Sequence, residues 1–119
     1  MMKIEAFEQI IENNIDPRDK GINPTVVYAY RDSLRAENDL IDFHEVIWDK
    51  EIEAITETFK SLGVKEFTIS STFSSLIATL AEFQKHGFTM AGLTEVNATY
   101  RSVFTNEREK LPAIKMVMM

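Results

Sequence analysis

Five hydroxyl side chains crowd one short stretch: Ser70, Ser71, Thr72, Ser74 and Ser75 follow an alternating run and precede an apolar helical stripe. Hydroxyls at a helix N-terminus, with the free amides of the first turn and the positive end of the dipole, can hold a phosphate or a carboxylate. The same residues also cap helices for structural reasons alone, and the glycines and lysine of a phosphate-binding loop are missing. A second group is acidic, with Glu45 and Asp49 on either side of Trp48. Two carboxylates can divide acid and base work, or join His44 around a cation, but adjacency in an alternating run points His44 and Glu45 to opposite faces. Trp48 reads first as a core residue and second as the wall of a pocket. His86, just before Gly87, suits a helix C-terminus, where the dipole favours a cation.

Other chemistry is disfavoured by what the chain lacks. It has no cysteine, which removes disulfide scaffolds, thiol nucleophiles, thiolate zinc sites and iron–sulfur clusters. Two histidines and no HExxH pattern make a catalytic metal unexpected, no cofactor is implied, and the GxSxG elbow of serine hydrolases is absent. Asn97, Ala98 and Thr99 spell a glycosylation triplet without consequence in a cytoplasmic setting.

Charge is uneven. Between residues 37 and 57 eight carboxylates (Glu37, Asp39, Asp42, Glu45, Asp49, Glu51, Glu53, Glu57) face Lys50 alone, whereas the whole chain carries −6. A nucleic-acid binder needs a clustered basic surface, and the one strong cluster here has the opposite sign. Nucleic-acid binding is therefore not expected. The acidic segment suits a basic partner, a cation, or simply a solvated helix face. No stretch approaches the roughly 20 apolar residues that cross a bilayer, and Met1 to Glu5 lack the apolar run of a secretory signal, so the expectation is a cytoplasmic protein without a membrane partner.

The elements that must position these residues follow from periodicity. With 119 residues, 45% of them hydrophobic, one domain over 1–119 is expected. Residues 1–39 read as helical: Ile4, Phe7, Ile10 and Ile11 recur at helical spacing up to a turn at Asp16–Pro17, and Asn23–Pro24 opens a second helix with stripe Val27, Tyr30 and Leu34, running to about Asn38. Residues 40–119 read as β-α-β-α-β-β. Ile41 and Phe43 alternate with Asp42 and His44 in a first strand; Asp49 can cap a helix with stripe Ile52, Ile55, Phe59 and Leu62 that Gly63 ends; Phe67 and Ile69 mark a second strand. A helix capped by Ser71 or Thr72 follows, with stripe Phe73, Leu76, Ile77, Leu80 and Phe83. Two further strands run from Phe88 to Tyr100 and from Ile114 to Met119, with Pro112 suited to a strand start and not to its middle. AITETFKSLG (54–63) and ATLAEFQKHG (78–87) share Ala, Phe and Gly at the same offsets, each ending a helix that feeds a strand.

The fold class expected is α/β: a mixed four-stranded sheet with its crossover helices mainly on one face, because Glu66, Thr68 and Ser70 leave the other face polar. The last strand should pair antiparallel with the third. Carrying Met116, Met118 and Met119, it is expected at the sheet edge, where it can pair with a second copy of the chain to give a homodimer.

From about Asp16 onward the chain resembles a family of small uncharacterised proteins of gram-positive bacteria, often encoded in mobile elements. The resemblance rests on IDFHEVIWDKEI (41–52), EFTISSTFSSLI (66–77), HGFTMAGL (86–93) and LPAIKM (111–116). It implies a bacterial cytoplasmic setting; the family has no assigned activity or agreed catalytic residues, so no mechanism carries over from it.

Two functions follow. The first is a non-enzymatic binding or adaptor module, recognising a protein partner or small ligand through the acidic segment 37–57 and the polar strand ends. The alternative is an enzyme or sensor acting on a small anionic ligand at Ser70–Ser75, with Ser70, Ser71, Thr72 and Ser74 as donors and Trp48, Glu45 and Asp49 nearby. An acidic decoy for nucleic-acid charge is a third idea, weaker than both.

Overall fold

A computed structural model describes residues 3–45, 47–71, 74–101, 104 and 106–119. Among them are four α-helices and four strands: α1 (Glu5–Glu12), α2 (Pro24–Arg35), β1 (Asp42–Phe43), α3 (Ile52–Leu62), β2 (Glu66–Ile69), α4 (Leu76–Lys85), β3 (Phe88–Arg101) and β4 (Arg108–Met118), with 3-10 turns at Pro17–Lys20 and Asp49–Glu51. The local signals act as expected at several ends. Asn23 accepts the Thr25 amide at 2.9 Å with Pro24 in the first turn, and Gly63 closes α3 at φ 73°, a conformation that costs a residue with a Cβ.

The sheet is mixed and four-stranded, in the order β1-β2-β4-β3. β1 and β2 run parallel around α3, and β4 runs antiparallel to both β2 and β3. The last strand is thus interior, which corrects its expected edge position; the outer strands are β1 and β3. Its residue types are consistent with this. Met116 stands opposite Phe67 and is 1% exposed, so the apolar tail fills a central strand. Pro112 also departs from expectation, lying within β4 opposite Glu95. There β4 has β3 as its single strand neighbour, because β2 pairs only with Ile114–Val117, and a missing amide is tolerated on the open side.

One face of the sheet carries the core. Phe67 on β2 packs its ring against Phe43 (5.5 Å between centroids), Phe59 (5.0 Å), Phe83 (5.0 Å) and Phe88 (5.4 Å). Phe59 belongs to α3 and Phe83 to α4, so both crossover helices cover this face, and the two phenylalanines of the repeated decapeptide meet on one ring. Leu62, Leu76 and Leu80 pack around them, half-buried. Ile77, placed in the α4 stripe by periodicity, instead faces outward at 84% exposure, and Phe73 lies outside the described residues.

α2 closes the outer edge of β1. The carbonyls of Ile41 and Phe43 accept from β2, so the Asp42 amide between them points away; it donates to Ser33 of α2 at 2.8 Å, which removes a free edge donor. α1 packs on α2 through Phe7 and Tyr30, 4.9 Å apart. The Tyr30 hydroxyl accepts the Ile4 amide (3.1 Å) and donates to Glu8 (2.7 Å). Burial pushes this phenol above its ordinary pKa; the Ile4 amide opposes the rise and the Glu8 carboxylate adds to it.

Two outcomes follow. Phe83→Ala should lower the unfolding free energy by about 3–5 kcal/mol, whereas Ile77→Ala should stay within about 0.5; equal shifts in urea midpoint would refute the core described. Tyr30 is neutral in the fold and ionises more readily once unfolded, so its contribution is complete below the ordinary tyrosine range and is lost as pH rises through the raised value. Stability should fall in strongly alkaline solution, and less steeply in Tyr30→Phe.

Candidate functional site

The cavity of interest arises because the hairpin outruns its neighbours. β2 ends opposite Ile114, while β4 reaches back to Arg108 and β3 on to Arg101. This overhang, α2 and the segment after β1 enclose a cavity of about 450 Å³ at the carboxyl end of the parallel pair. That is where ligands of parallel α/β units sit, and the volume lies in the range of small-molecule sites. Its lining includes four carboxylates (Asp32, Asp42, Glu45, Glu51), His44, and the aromatics Tyr28 and Trp48; no lysine or arginine is among the described residues that line it.

Asp42 anchors the floor. It is 7% exposed, and its two carboxylate oxygens accept the hydroxyls of Thr68 and Ser70, each at 2.6 Å. The sheet dictates this: Asp42 stands opposite Thr68 in the β1–β2 register, on the face away from the phenylalanines. Ser70 also meets Nδ1 of His44 at 3.0 Å. Ser71 donates to the carbonyls of His44 (2.8 Å) and Glu45, which pins the chain just past β1. The chain Asp42–Ser70–His44 differs from a hydrolytic triad, because the serine stands between acid and imidazole and gives its proton to the acid. Glu51 accepts the Thr25 hydroxyl at 3.1 Å, and Asp32 lies 4.0 Å from exposed Arg35.

The far wall is held by Asn38. After α2, Glu37 adopts a left-handed conformation (φ 61°) and the Asn38 amide returns to the Ser33 carbonyl at 3.0 Å. This turn aims the buried Asn38 side chain at β3, where it accepts the Asn97 amide (2.7 Å) and donates to the Asn97 carbonyl (3.1 Å), much as a neighbouring strand would. Asn97 in turn donates to the Ala36 carbonyl at 3.0 Å and accepts Lys110. Arg108 spans the register shift beyond Asn97, donating to the carbonyls of Ala98 (3.2 Å) and Thr99 (2.7 Å).

The expected site residues divide. Glu45 and Trp48 line the cavity; Asp49 is exposed in the 3-10 turn and does not. Trp48 is 62% exposed, which corrects its reading as core. His44 and Glu45 both line the cavity, since β1 stops at Phe43 and the alternation stops with it. Ser70 and Ser71 are buried with their hydroxyls donated internally. Ser74 is exposed, and Thr72 lies outside the described residues. α4 opens later than expected, after Ser75, whose side chain makes no capping bond. Sequence reasoning missed Tyr28, Asp32 and Asn38. Tyr28 carried a signal, an aromatic off the apolar stripe of α2.

Fold and site together define a class: a mixed α/β domain with an acidic, aromatic-rimmed cleft at the end of its parallel strand pair. Within it, the chain belongs to the family described as Domain of unknown function (DUF7698), whose model matches residues 25–118. That span takes in every described residue lining the cavity and leaves out α1. No curated protein and no solved structure matches the chain. Among the described residues no helix is long and apolar enough to cross a membrane, and no group of three or more His, Asp or Glu side chains is placed to hold a metal ion.

Asp42→Ala strands two buried hydroxyls without their acceptor, and should cost about 2–4 kcal/mol in denaturant unfolding. A loss below about 0.5 kcal/mol would show that the carboxylate does not hold the strand ends together.

Proposed function

We propose that this chain is a non-enzymatic binding module whose cleft receives a protonated organic amine, carried by a small molecule or by a basic side chain of a partner protein. The observation that carries this reading is the lining: four carboxylates, two exposed aromatic rings and, among its described residues, no lysine or arginine. A concave surface of one charge sign concentrates counter-ions, and an aromatic face adds cation–π attraction of about 0.5–2 kcal/mol. The acidic segment 37–57 contributes Asp42, Glu45 and Glu51 to that lining. The alternative, an anion at Ser70–Ser75, has less support, since Ser70 and Ser71 have spent their donors internally and carboxylates stand nearby. The sequence resemblance supports a bacterial cytoplasmic setting and coding within a mobile element.

Trp48 is the one tryptophan of the chain, so its fluorescence reports occupancy. Putrescine and an amidated lysine peptide should give saturable changes that weaken with salt, and a preference between them distinguishes a small ligand from a partner's side chain. Glu45→Gln should weaken binding by about tenfold, the equivalent of one charge-assisted contact. Saturation by phosphate with no response to either amine would reverse the reading in favour of the serine turn.

A further inference from the structure

The hydrogen bonds at the cavity floor fix more than its shape. The Ser70 hydroxyl has one proton, and at 2.6 Å it donates it to the buried Asp42 carboxylate. The 3.0 Å contact between Ser70 and His44 must then be supplied by the ring, with Nδ1–H donating to the serine oxygen. In the neutral imidazole this leaves Nε2 as a bare acceptor. His44 lines the cavity, and among the described residues nothing bonds its Nε2.

We infer that His44, when its imidazole is neutral, makes the cleft selective for cations bearing N–H donors, primary ammonium or guanidinium groups, over quaternary ammonium ions. This rests on the reading that the cleft takes a cation. A quaternary head satisfies carboxylates and aromatic faces through charge alone. It offers nothing to Nε2, and seating a methyl group there strips water from an acceptor without replacing it. A primary ammonium supplies that hydrogen bond while keeping its charge beside Glu45 and Trp48. The buried acid behind Ser70 holds the ring in the required tautomer, as outer partners do for metal-binding histidines.

The matched probes are n-butylammonium and n-butyltrimethylammonium, which share a chain and a charge, titrated into the full chain by calorimetry in mildly alkaline solution, where an alkylamine keeps its proton and an imidazole does not. The wild type should favour the primary amine by on the order of tenfold or more. His44→Phe, which removes the acceptor, should bring the two affinities to within about twofold, and His44→Gln, which restores an acceptor oxygen, should recover part of the preference. Equal wild-type affinities, or a preference that survives in His44→Phe, would overturn the role of His44 while leaving the cation cleft in place. Failure of both probes to bind would overturn the cleft reading and this inference with it. Independently of any ligand, long-range proton–nitrogen NMR spectra in alkaline solution should show His44 protonated at Nδ1. The chain has just two histidines, so a His86 variant assigns the signals, and the opposite tautomer would refute the inference.

Discussion

The buried carboxylate of Asp42 is the constraint on which the cavity end of this molecule depends. Placing a carboxylate at 7% exposure in a two-residue strand is costly unless donors meet it, and two hydroxyls do so at 2.6 Å. Three elements are tied at that point. Its side chain bonds to Thr68 and Ser70 at the end of β2, its amide bonds to Ser33 of α2, and through Ser70 it reaches His44 beyond β1. A strand of two residues has little ladder of its own. The side-chain bonds supply the definition that backbone pairing cannot, so the position of the cavity floor is set by polar chemistry rather than by the length of the sheet.

The opposite face is built on a different principle. Phe67 touches four other rings, two of them from strands and two from helices whose sequences echo each other. Tilted and edge-on contacts of this kind add to simple burial and restrict how the helices can lie across the sheet. A rigid apolar face permits the other face to remain polar and partly open. The long β3–β4 hairpin uses that freedom: it extends past β2 over the polar side, where the Asn38 side chain takes the place of the absent neighbouring strand.

Much of this was legible in the sequence where the signal is local. Asn23–Pro24, Gly63, the α3 stripe Ile52, Ile55, Phe59 and Leu62, the α4 positions Leu76, Leu80 and Phe83, and the polar run Glu66–Thr68–Ser70 each act through the nearest few residues; Ile77, of the same α4 stripe, faces outward. Strand adjacency was not legible, because a period of two says which way a side chain faces and nothing about which strand lies alongside. The tail Ile114–Met119 illustrates this: its scarcity of charge reads as an unprotected edge, yet scarcity of charge is equally what an interior strand requires. Asp42 was visible only as the one acid between Ile41 and Phe43. Its meaning depends on Thr68 and Ser70, which are distant in sequence and adjacent through the parallel register. Asn38 and Asn97 were hidden for the same reason, being a pair formed by folding alone.

Stability accounts for some of the cavity lining and stops short of the rest. Asp42 holds strand ends, Glu51 accepts Thr25, and Asn38 fastens β3. Tyr28 and Trp48 are different, each more than three-fifths exposed on the rim of one cavity, where their apolar surface remains hydrated in the free protein. A scattered exposed aromatic is ordinary, but two beside a concave row of carboxylates form a combination that folding does not call for. The like charges repel one another and the rings stay wet. Both costs fall when a cation enters, since its charge relieves the repulsion and its alkyl portion covers the rings. The lining that packing leaves unexplained is therefore the lining with most to gain from a bound cation, which is the physical ground for reading the cleft as a site.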